Sequence, residues 1–208
     1  TLGIVYNSKL VDKAPEHWDD LWRPEYKNSI MLIDGAREVM GLGLNSLGYG
    51  LNDKNADHLQ EAVDKLYKLT PNIKAIVADE MKGYMIQNNA AIGVTFSGEA
   101  RQMLEKNEDL RYVVPSEASN LWFDNIVIPK TVKNKKAAYQ FINFMLRPEN
   151  AYKNALYVGY ATPIPKAKAL LPKEVQDDEA FYPTAETMKH LEVYKQIGPK
   201  WLGIYNDL

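Results

Sequence analysis

The stretch Ser29-Ile-Met-Leu-Ile33 is an unbroken apolar run, and Asp34-Gly35 follows it at once. A short continuous run of this kind is typical of a strand that is buried on both faces, as the inner strands of a parallel sheet are. The Asp-Gly pair ends the strand, and from Ala36 to Leu47 the apolar residues recur at helical spacing. The stretch therefore predicts a buried strand that leads straight into a helix.

The same alternation of strand and helix continues on both sides of this unit. Apolar runs predict further strands at residues 1–7, 75–77, 90–96, 111–114 and 121–128. Amphipathic spacing predicts helices at residues 52–69, 83–88, 98–107, 135–146, 149–158 and 184–201, and a short helix within 14–27 that Pro24 ends. Because helical crossovers connect parallel strands, we expect an α/β fold with a mixed, mostly parallel sheet flanked by helices.

Composition excludes several classes of protein. The 208 residues carry 25 Lys and Arg against 27 Asp and Glu, so the chain lacks the basic surplus that nucleic-acid binding requires. There is no cysteine, which rules out disulfides, thiolate metal sites and a cysteine nucleophile. No apolar run approaches the roughly twenty residues of a membrane-spanning helix. The chain opens on Thr1 rather than Met, and we therefore expect a mature or truncated piece of a protein.

Catalytic and metal-binding patterns are also missing from the sequence. His17, His58 and His190 lie far apart and have no carboxylate at metal-ligand spacing, so no metal site is predicted. The sequence contains no glycine-rich nucleotide loop, which leaves no cofactor to predict. Phe96-Ser-Gly-Glu99 lacks the first glycine of a hydrolase nucleophile elbow, and Ser97 is better explained as the N-cap of the following helix. We therefore expect a protein that is not an enzyme.

Acidic and aromatic residues follow the predicted strands at the point where each strand ends. In open α/β sheets the ligand site lies beyond the carboxyl ends of the strands. This rule places Asp34 to Glu38, Ala78 to Glu80 and Phe96 along one crevice. Trp122 and Asp124 are two residues apart on a predicted strand and so share a face of it. These residues are the first members of a candidate ligand site.

Two tyrosines complete the candidate set. Tyr160 follows Gly159, the predicted end of the preceding helix, and Tyr194 lies on the last predicted helix. Aromatic rings beside carboxylates suit an alkyl amine, because carboxylates bind its ammonium ends and rings cover its methylenes with cation–π attraction of about 0.5–2 kcal/mol. Ordinary structural roles remain open for the other members: a helix N-terminus for Asp34 and Glu38, the core for Trp122, and a lysine ion pair for Asp124.

Several longer motifs occur in a fixed order along the chain. They are Trp18-Asp-Asp-Leu-Trp-Arg-Pro-Glu-Tyr-Lys27, Asp34-Gly-Ala-Arg-Glu-Val39, Trp122-Phe-Asp124, Ile128-Pro129, Phe141-Ile-Asn-Phe-Met-Leu-Arg-Pro148, Val158-Gly-Tyr-Ala-Thr-Pro163 and Tyr182-Pro-Thr-Ala-Glu186. In order and spacing they resemble the spermidine/putrescine-binding proteins of bacterial ABC importers. The resemblance covers essentially the whole chain.

The resemblance implies a type II periplasmic-binding-protein-like fold: two α/β lobes joined by crossing strands, with a polyamine in the cleft between them. It implies capture of spermidine or putrescine in a periplasm or at the cell surface, and delivery to the permease of an ABC transporter. Contact with the membrane would occur only through that permease or through a lipid anchor. Cleft residues of the family match at Glu38, Trp122, Asp124 and Tyr160, and Phe96 stands where the family often has tryptophan.

The chain departs from the family pattern at two site positions and in its extent. Gly35 stands where the family often has a carboxylate, so that Asp34 lies one residue earlier, and Tyr194 stands where the family can carry a polar amide. The N-terminal stretch that builds most of the family's first lobe is missing. The resemblance therefore assigns residues 1–121 and 169–208 to the second lobe and residues 122–168 to the first.

Three other hypotheses remain open at this point. A related two-lobed receptor for ferric iron or an oxyanion would need paired tyrosines with a histidine, or basic and hydroxyl-rich strand ends, and neither pattern is evident. A hydrolase or transferase on a similar sandwich would need a nucleophile in contact with a base. An interaction or swapped module would pair its exposed crossing segment with a second copy. Ligand titration separates the first two from polyamine binding, and a mass measurement in solution tests the third.

Overall fold

The computed structural model describes residues 1–196, together with 198 and 203. The chain packs as two compact units. The first, named the sheet unit, comprises Thr1–Trp122 and the segment that begins at Thr184; the second, named the helical unit, comprises Phe123–Pro183. The chain therefore leaves the sheet unit after Trp122 and returns to it at Thr184.

The sheet unit is built on a five-stranded mixed sheet. Its strands are β1 (Leu2–Asn7), β2 (Ile30–Ile33), β3 (Ile73–Val77), β4 (Ile92–Phe96) and β5 (Leu110–Val113), in the order β3-β2-β4-β1-β5. Strand β2 pairs in parallel with β3 and β4, whereas β1 pairs antiparallel with β4 and β5. All strands except β1 therefore run in one direction, which confirms the predicted mixed, mostly parallel sheet.

Helices cover both faces of this sheet. They are α1 (Ala36–Ser46), α2 (Ala56–Leu69), α3 (Met81–Ile86) and α4 (Ser97–Leu104), with 3₁₀ turns at Trp18–Trp22, Pro24–Tyr26 and Thr70–Asn72. Ile30 and Leu32 of β2 share one buried cluster with Leu42 of α1. Met31 lies between these two residues and points to the opposite face, where it is buried in a second cluster with Met85 of α3. This period-two alternation is why a single apolar run requires helices on both of its sides.

The predicted strand at 121–128 is wrong. Only Ser119–Asn120 form a strand there, β6, and residues 121–128 have neither helix nor strand structure. Ile126 and Val127 are 56% and 77% exposed, so the run that suggested a strand is not buried. A β-prone run becomes a strand only where a neighbouring strand supplies hydrogen bonds, and in the described residues the ladder from β6 goes no further than the N–H of Leu121. Trp122 and Asp124 consequently do not share a strand face.

The predicted helix at 184–201 is also wrong over most of its described part. It ends after one turn, α9 (Ala185–Met188), and the chain then forms a short strand, β7 (Leu191–Glu192), parallel to β6. The backbone N–H of Leu121 donates to the carbonyl of Glu192 at 2.8 Å, which continues this ladder. Tertiary pairing has overridden the local helical pattern. Apart from residue 198, the end of the predicted helix after 196 lies outside the described residues.

The two predicted caps have different outcomes. Gly159 ends its helix with φ 78°, a left-handed conformation that favours glycine, as predicted. Ser97 is the first residue of α4 rather than its N-cap, which is Phe96. The Ser97 side chain instead accepts a hydrogen bond from the Thr1 backbone nitrogen at 3.3 Å, so a tertiary partner takes the place of the expected cap.

The helical unit is smaller and leaves much apolar surface exposed. Its helices are α5 (Lys135–Met145), α6 (Pro148–Val158), α7 (Pro165–Lys168) and α8 (Lys173–Gln176). Ala155, Leu171, Val175 and Phe181 form its buried cluster. In the described part of the chain, α5 buries none of its side chains although its sequence is amphipathic. An apolar helix face without a covering layer is unusual in a protein of this size.

The 3₁₀ turn at Trp18–Trp22 is organised by the Asp20 carboxylate. It accepts hydrogen bonds from the backbone N–H groups of Glu16 at 2.7 Å and His17 at 3.0 Å, and it pairs with Arg23. Burial by itself would raise the pKa of Asp20, but those hydrogen bonds and the Arg23 charge hold it below its usual value. The turn is therefore stabilised by the ionised form of Asp20.

We expect Asp20→Asn to lower the free energy of unfolding by about 1–2 kcal/mol at pH 7, because a charged acceptor is lost. A depressed pKa in the folded state gives stability that is present above the unfolded pKa of about 3.9 and lost as the pH falls through the folded value. Urea unfolding between pH 7 and pH 2 should therefore show the two proteins converging at low pH. Asp12→Asn, at an exposed position, is the control, and equal effects of both changes would contradict this role.

Candidate functional site

The carboxyl ends of three neighbouring strands meet at one edge of the sheet. Ile33 at the end of β2 is in register with Val77 of β3, and Leu32 is in register with Val94 of β4. The backbone N–H of Asp34 extends the pairing by donating to the Val77 carbonyl at 2.9 Å. The residues that follow these strands therefore share one edge, where parallel sheets place ligands.

The N-terminal turn of α1 places carboxylates at this edge. The Glu38 side chain is half-buried and lies in the first helical turn, where the positive end of the helix dipole favours a negative charge. Its carboxylate folds back onto Gly35: a Cβ atom at position 35 would lie 2.3 Å from Glu38 Oε2. Asp34 is exposed and does not cap α1, whose N-cap is Gly35. The structural role considered for both residues, at a helix N-terminus, therefore applies to Glu38 and not to Asp34.

Two aromatic rings from different elements meet where β4 ends. Phe96 ends β4, and Trp122 follows β6; their ring centroids lie 5.6 Å apart with an interplanar angle of 76°. This edge-to-face arrangement is a favourable geometry for aromatic pairs. Both residues are half-buried rather than enclosed, so Trp122 is not simply a core residue. The structure thus brings Phe96 and Trp122 together even though the predicted strand that carried Trp122 does not form.

Tyr194 packs directly on α1. Its hydroxyl donates to the Arg37 carbonyl at 3.1 Å, and the Arg37 guanidinium lies 4.1 Å from the centre of the Tyr194 ring. The contact places Tyr194 against the first turn of α1, the turn that carries Glu38, although Tyr194 does not lie on the predicted helix. Arg37 lies within the range 34–38 that the strand rule indicated, but it was not assigned a role of its own in the predicted site.

Asp124 and Tyr160 lie in the helical unit, apart from the other predicted site residues. Asp124 is exposed, in the segment without regular structure after Phe123. Tyr160 is half-buried and directly follows Gly159, the C-cap of α6. The exposed triplet 78–80, which the strand rule also indicated, lies between β3 and α3. The candidate site on the sheet unit therefore consists of Asp34, Glu38, Phe96, Trp122 and Tyr194.

The histidines of the chain have local partners. The His58 ring stacks on Tyr49 with centroids 3.8 Å apart, and its Nδ1 lies 2.8 Å from Asp53 Oδ2. Within residues 1–196, 198 and 203, no group of three or more His, Asp or Glu side chains is arranged to hold a metal ion. The same residues include no helix long and apolar enough to cross a bilayer.

Known proteins resemble this chain in both sequence and structure. The spermidine/putrescine-binding periplasmic protein of Salmonella typhimurium is 37% identical over 197 residues, which make up 94% of this chain and 57% of that protein. The crystal structure of the spermidine/putrescine ABC transporter substrate-binding protein PotD of Streptococcus pneumoniae matches all of this chain with 76% identity and a TM-score of 0.93, over 64% of its own length. The chain thus spans less than two thirds of these relatives.

The fold extends to more distant proteins. The Tp0655 lipoprotein of Treponema pallidum, 24% identical, matches 100% of this chain and 64% of its own with a TM-score of 0.85. The fold is thus the predicted type II periplasmic-binding-protein-like α/β fold. Residues 1–184 match the family model of bacterial extracellular solute-binding proteins. The chain therefore belongs to the family of bacterial extracellular solute-binding proteins.

Proposed function

We propose that this chain is part of a longer protein, called below the full-length protein, that captures a polyamine, spermidine or putrescine, for an ABC importer. The observation that carries the proposal is that two parallel neighbouring strands end at one sheet edge, where Glu38 lies in the first turn after β2 and Phe96, which meets Trp122 edge to face, ends β4. The names of the relatives described above support the same ligand class. Binding rather than catalysis is the activity proposed.

The chemistry of the edge suits a chain that has charged ends and an apolar middle. A primary ammonium donates up to three hydrogen bonds, and a half-buried carboxylate such as Glu38 accepts them with charge assistance. The faces of Phe96 and Trp122 can cover methylene groups and attract a cation. An oxyanion would be repelled by Asp34 and Glu38 at the same edge, which disfavours the anion-receptor alternative.

We also propose that residues 122–168 belong to the first lobe of the full-length protein, as the family resemblance implies. Tyr139, Phe141 and Phe144 on α5 are between 48% and 60% exposed, and Val127 is 77% exposed. Apolar surface of this extent is normally covered by other parts of a folded protein. Residues that precede this sequence in the full-length protein are the proposed cover, and Asp124 and Tyr160 would then contribute to the cleft from the first lobe.

The partner and location follow from the same proposal. The family consists of extracellular solute-binding proteins, so the site faces a periplasm or the cell exterior. The proposed partner is the permease of an ABC transporter, which would receive the polyamine. Attachment to the membrane would run through that permease or through a lipid anchor on residues outside this sequence.

A thermal-shift panel on the full-length protein tests the proposed ligand class. A ligand that binds only the folded state stabilises it by RT ln(1 + [L]/Kd), which is about 2.7 kcal/mol at a hundred-fold excess over Kd. We expect spermidine or putrescine to raise the Tm, and phosphate and ferric citrate to leave it unchanged. A rise with phosphate or ferric citrate and none with any polyamine would assign the site to another solute.

Gly35 should control the affinity through Glu38. We expect Gly35→Ala to weaken spermidine binding by roughly three- to ten-fold, because its Cβ would displace the Glu38 carboxylate; 1.4 kcal/mol corresponds to ten-fold. Gly35→Asp adds a carboxylate of its own and should weaken binding less than Gly35→Ala does. Gly83→Ala is the matched control, since a Cβ there meets no atom within 4 Å. Calorimetric titration of the full-length variants measures all three, and unchanged affinity in Gly35→Ala would contradict the role given to Glu38.

A further inference from the structure

The segment Leu191–Lys195 is fastened to the sheet unit by two polar side chains. Arg37, in the first turn of α1, contacts the segment at Tyr194 and Lys195. Asn52, in the connection between α1 and α2, contacts it at Glu192, Val193 and Lys195. Arg37 directly precedes Glu38 on α1, and Asn52 follows the same helix.

Arg37 contacts Tyr194 through both its side chain and its main chain, and it also bonds to the next residue, Lys195. Its guanidinium lies 4.1 Å from the centre of the tyrosine ring, and its Nη2 donates to the Lys195 carbonyl at 3.2 Å. The Tyr194 hydroxyl donates back to the Arg37 carbonyl at 3.1 Å. A planar guanidinium can stack on a ring while its N–H groups bond in the same plane, which a lysine cannot reproduce. The arrangement fixes both the plane of the ring and the direction of its O–H bond.

The direction of that O–H bond has a chemical consequence. A hydroxyl that donates its hydrogen to a carbonyl can offer other groups only its oxygen lone pairs, so it acts as an acceptor. Acceptors suit an ammonium group, which has only hydrogens to give, and they do not suit an anion. Glu38, the residue after Arg37, is an acceptor of the same kind.

We propose that Arg37 is a positioning residue that orients Tyr194 as a hydrogen-bond acceptor on the helical turn that carries Glu38 and so favours amine ligands. The inference rests on the proposed function, because Tyr194 matters to affinity only if the site binds an amine. Arg37 does not need to touch the ligand in this role. It acts through the ring that it stacks on and through the segment that its Nη2 atom holds.

Asn52 keeps the segment in place when Arg37 is changed. Its Oδ1 accepts from the Lys195 backbone N–H at 2.7 Å, and its Nδ2 donates to the Val193 carbonyl at 3.1 Å. Glu192 adds a further link by accepting from the Leu51 backbone N–H at 3.0 Å. A change at Arg37 should therefore loosen and reorient Tyr194 without unfolding the segment.

The test is a double-mutant cycle in the full-length protein, read by calorimetric titration with spermidine. Arg37→Met removes the stacked guanidinium and keeps the apolar stem and the main-chain carbonyl, and we expect it to weaken binding by roughly five- to ten-fold. In a Tyr194→Leu background the same change should have almost no further effect, because the residue through which it acts is gone. Additive losses in the two single variants and the double variant would overturn the proposal.

Lys65→Met is the matched control. It removes another cation held over an aromatic ring in the sheet unit, since Lys65 Nζ lies 4.9 Å from the centre of the Trp22 ring. It should lower the Tm by an amount similar to Arg37→Met and leave the affinity for spermidine unchanged. An equal loss of affinity in the control would reduce the Arg37 effect to general stability and overturn the proposal.

Hydrogen exchange of the unliganded protein separates this proposal from the proposed function. Arg37→Met should speed exchange of the backbone amides within residues 191–195, whereas Lys65→Met should not. If the wild-type protein binds no polyamine, the proposed function fails, and unchanged exchange in Arg37→Met would then also overturn the positioning role. If the wild-type protein binds no polyamine but exchange in Arg37→Met is faster only in this segment, Arg37 holds the segment in place and has no role in amine binding.

Discussion

Glu38→Gln in the full-length protein should weaken spermidine binding by roughly ten- to a hundred-fold. The carboxylate is half-buried in the first turn of α1, and it lies over Gly35 at the edge where the strands end. A hydrogen bond to a charged group contributes about 1.5–3 kcal/mol, and 1.4 kcal/mol is a ten-fold change in affinity. Glutamine keeps the size and one acceptor oxygen but removes the charge that an ammonium requires.

Glu61→Gln is the control for this change. Glu61 lies on α2 of the same unit, where it accepts a hydrogen bond from the Tyr49 hydroxyl, and its loss changes the net charge equally. Calorimetric titration should show the full loss in Glu38→Gln and an affinity within about two-fold of wild type in Glu61→Gln, because exposed charges at a distance are screened by salt. Similar losses in both variants would mean that overall charge, not a contact, governs binding.

The largest expected effect on stability is at Trp18. Its side chain is 1% exposed and packs in the cluster that covers one face of the sheet. Its Nε1 donates to the Ala118 carbonyl at 2.8 Å, directly before β6 and the approach to Trp122. Trp18→Ala should lower the free energy of unfolding by about 3–5 kcal/mol, since it leaves a large cavity and an unpaired carbonyl.

Trp18→Phe separates the two contributions. Phenylalanine retains most of the packing and loses the hydrogen bond to Ala118, so we expect a cost of about 1–2 kcal/mol. Urea unfolding followed by circular dichroism avoids the loss of a fluorescent residue. If Trp18→Ala and Trp18→Phe are equally destabilising, packing of the ring is not what holds this turn to the sheet.

The β2–α1 unit could be predicted from the sequence because neighbours along the chain determine it. The apolar run of β2 is buried on both faces, and Gly35 opens the helix directly after it. The direction of β1 could not be predicted in this way. An apolar run indicates a strand but not its neighbours, and only the pairing shows that β1 lies between β4 and β5 and runs antiparallel to both.

Errors arose where a tertiary partner decided the structure. Residues 121–128 have strand-forming composition, but the pairing between β6 and β7 reaches only the N–H of Leu121. Ser97 has the side chain of an N-cap, but its hydroxyl oxygen accepts a hydrogen bond from the Thr1 nitrogen instead. In both cases the local preference was real and weaker than a contact with a distant part of the chain.

The candidate site was predictable only in part for the same reason. The strand rule placed Asp34, Glu38 and Phe96 at one edge because it depends on strand order and direction alone. The pairing of Tyr194 with Arg37 joins residues 157 positions apart, and no spacing rule reaches that far. The sequence motif at residues 34–39 included Arg37, but nothing in it indicated a contact with Tyr194.

The central claim is that the full-length protein binds a polyamine and that this chain supplies part of the cleft. Calorimetric titration of spermidine and putrescine into the full-length protein and into the 208-residue chain, side by side, tests it most directly. The account predicts one polyamine bound per full-length molecule, with binding lost or much weaker in the 208-residue chain. Absence of binding heat with either polyamine in the full-length protein, at several temperatures, would contradict it.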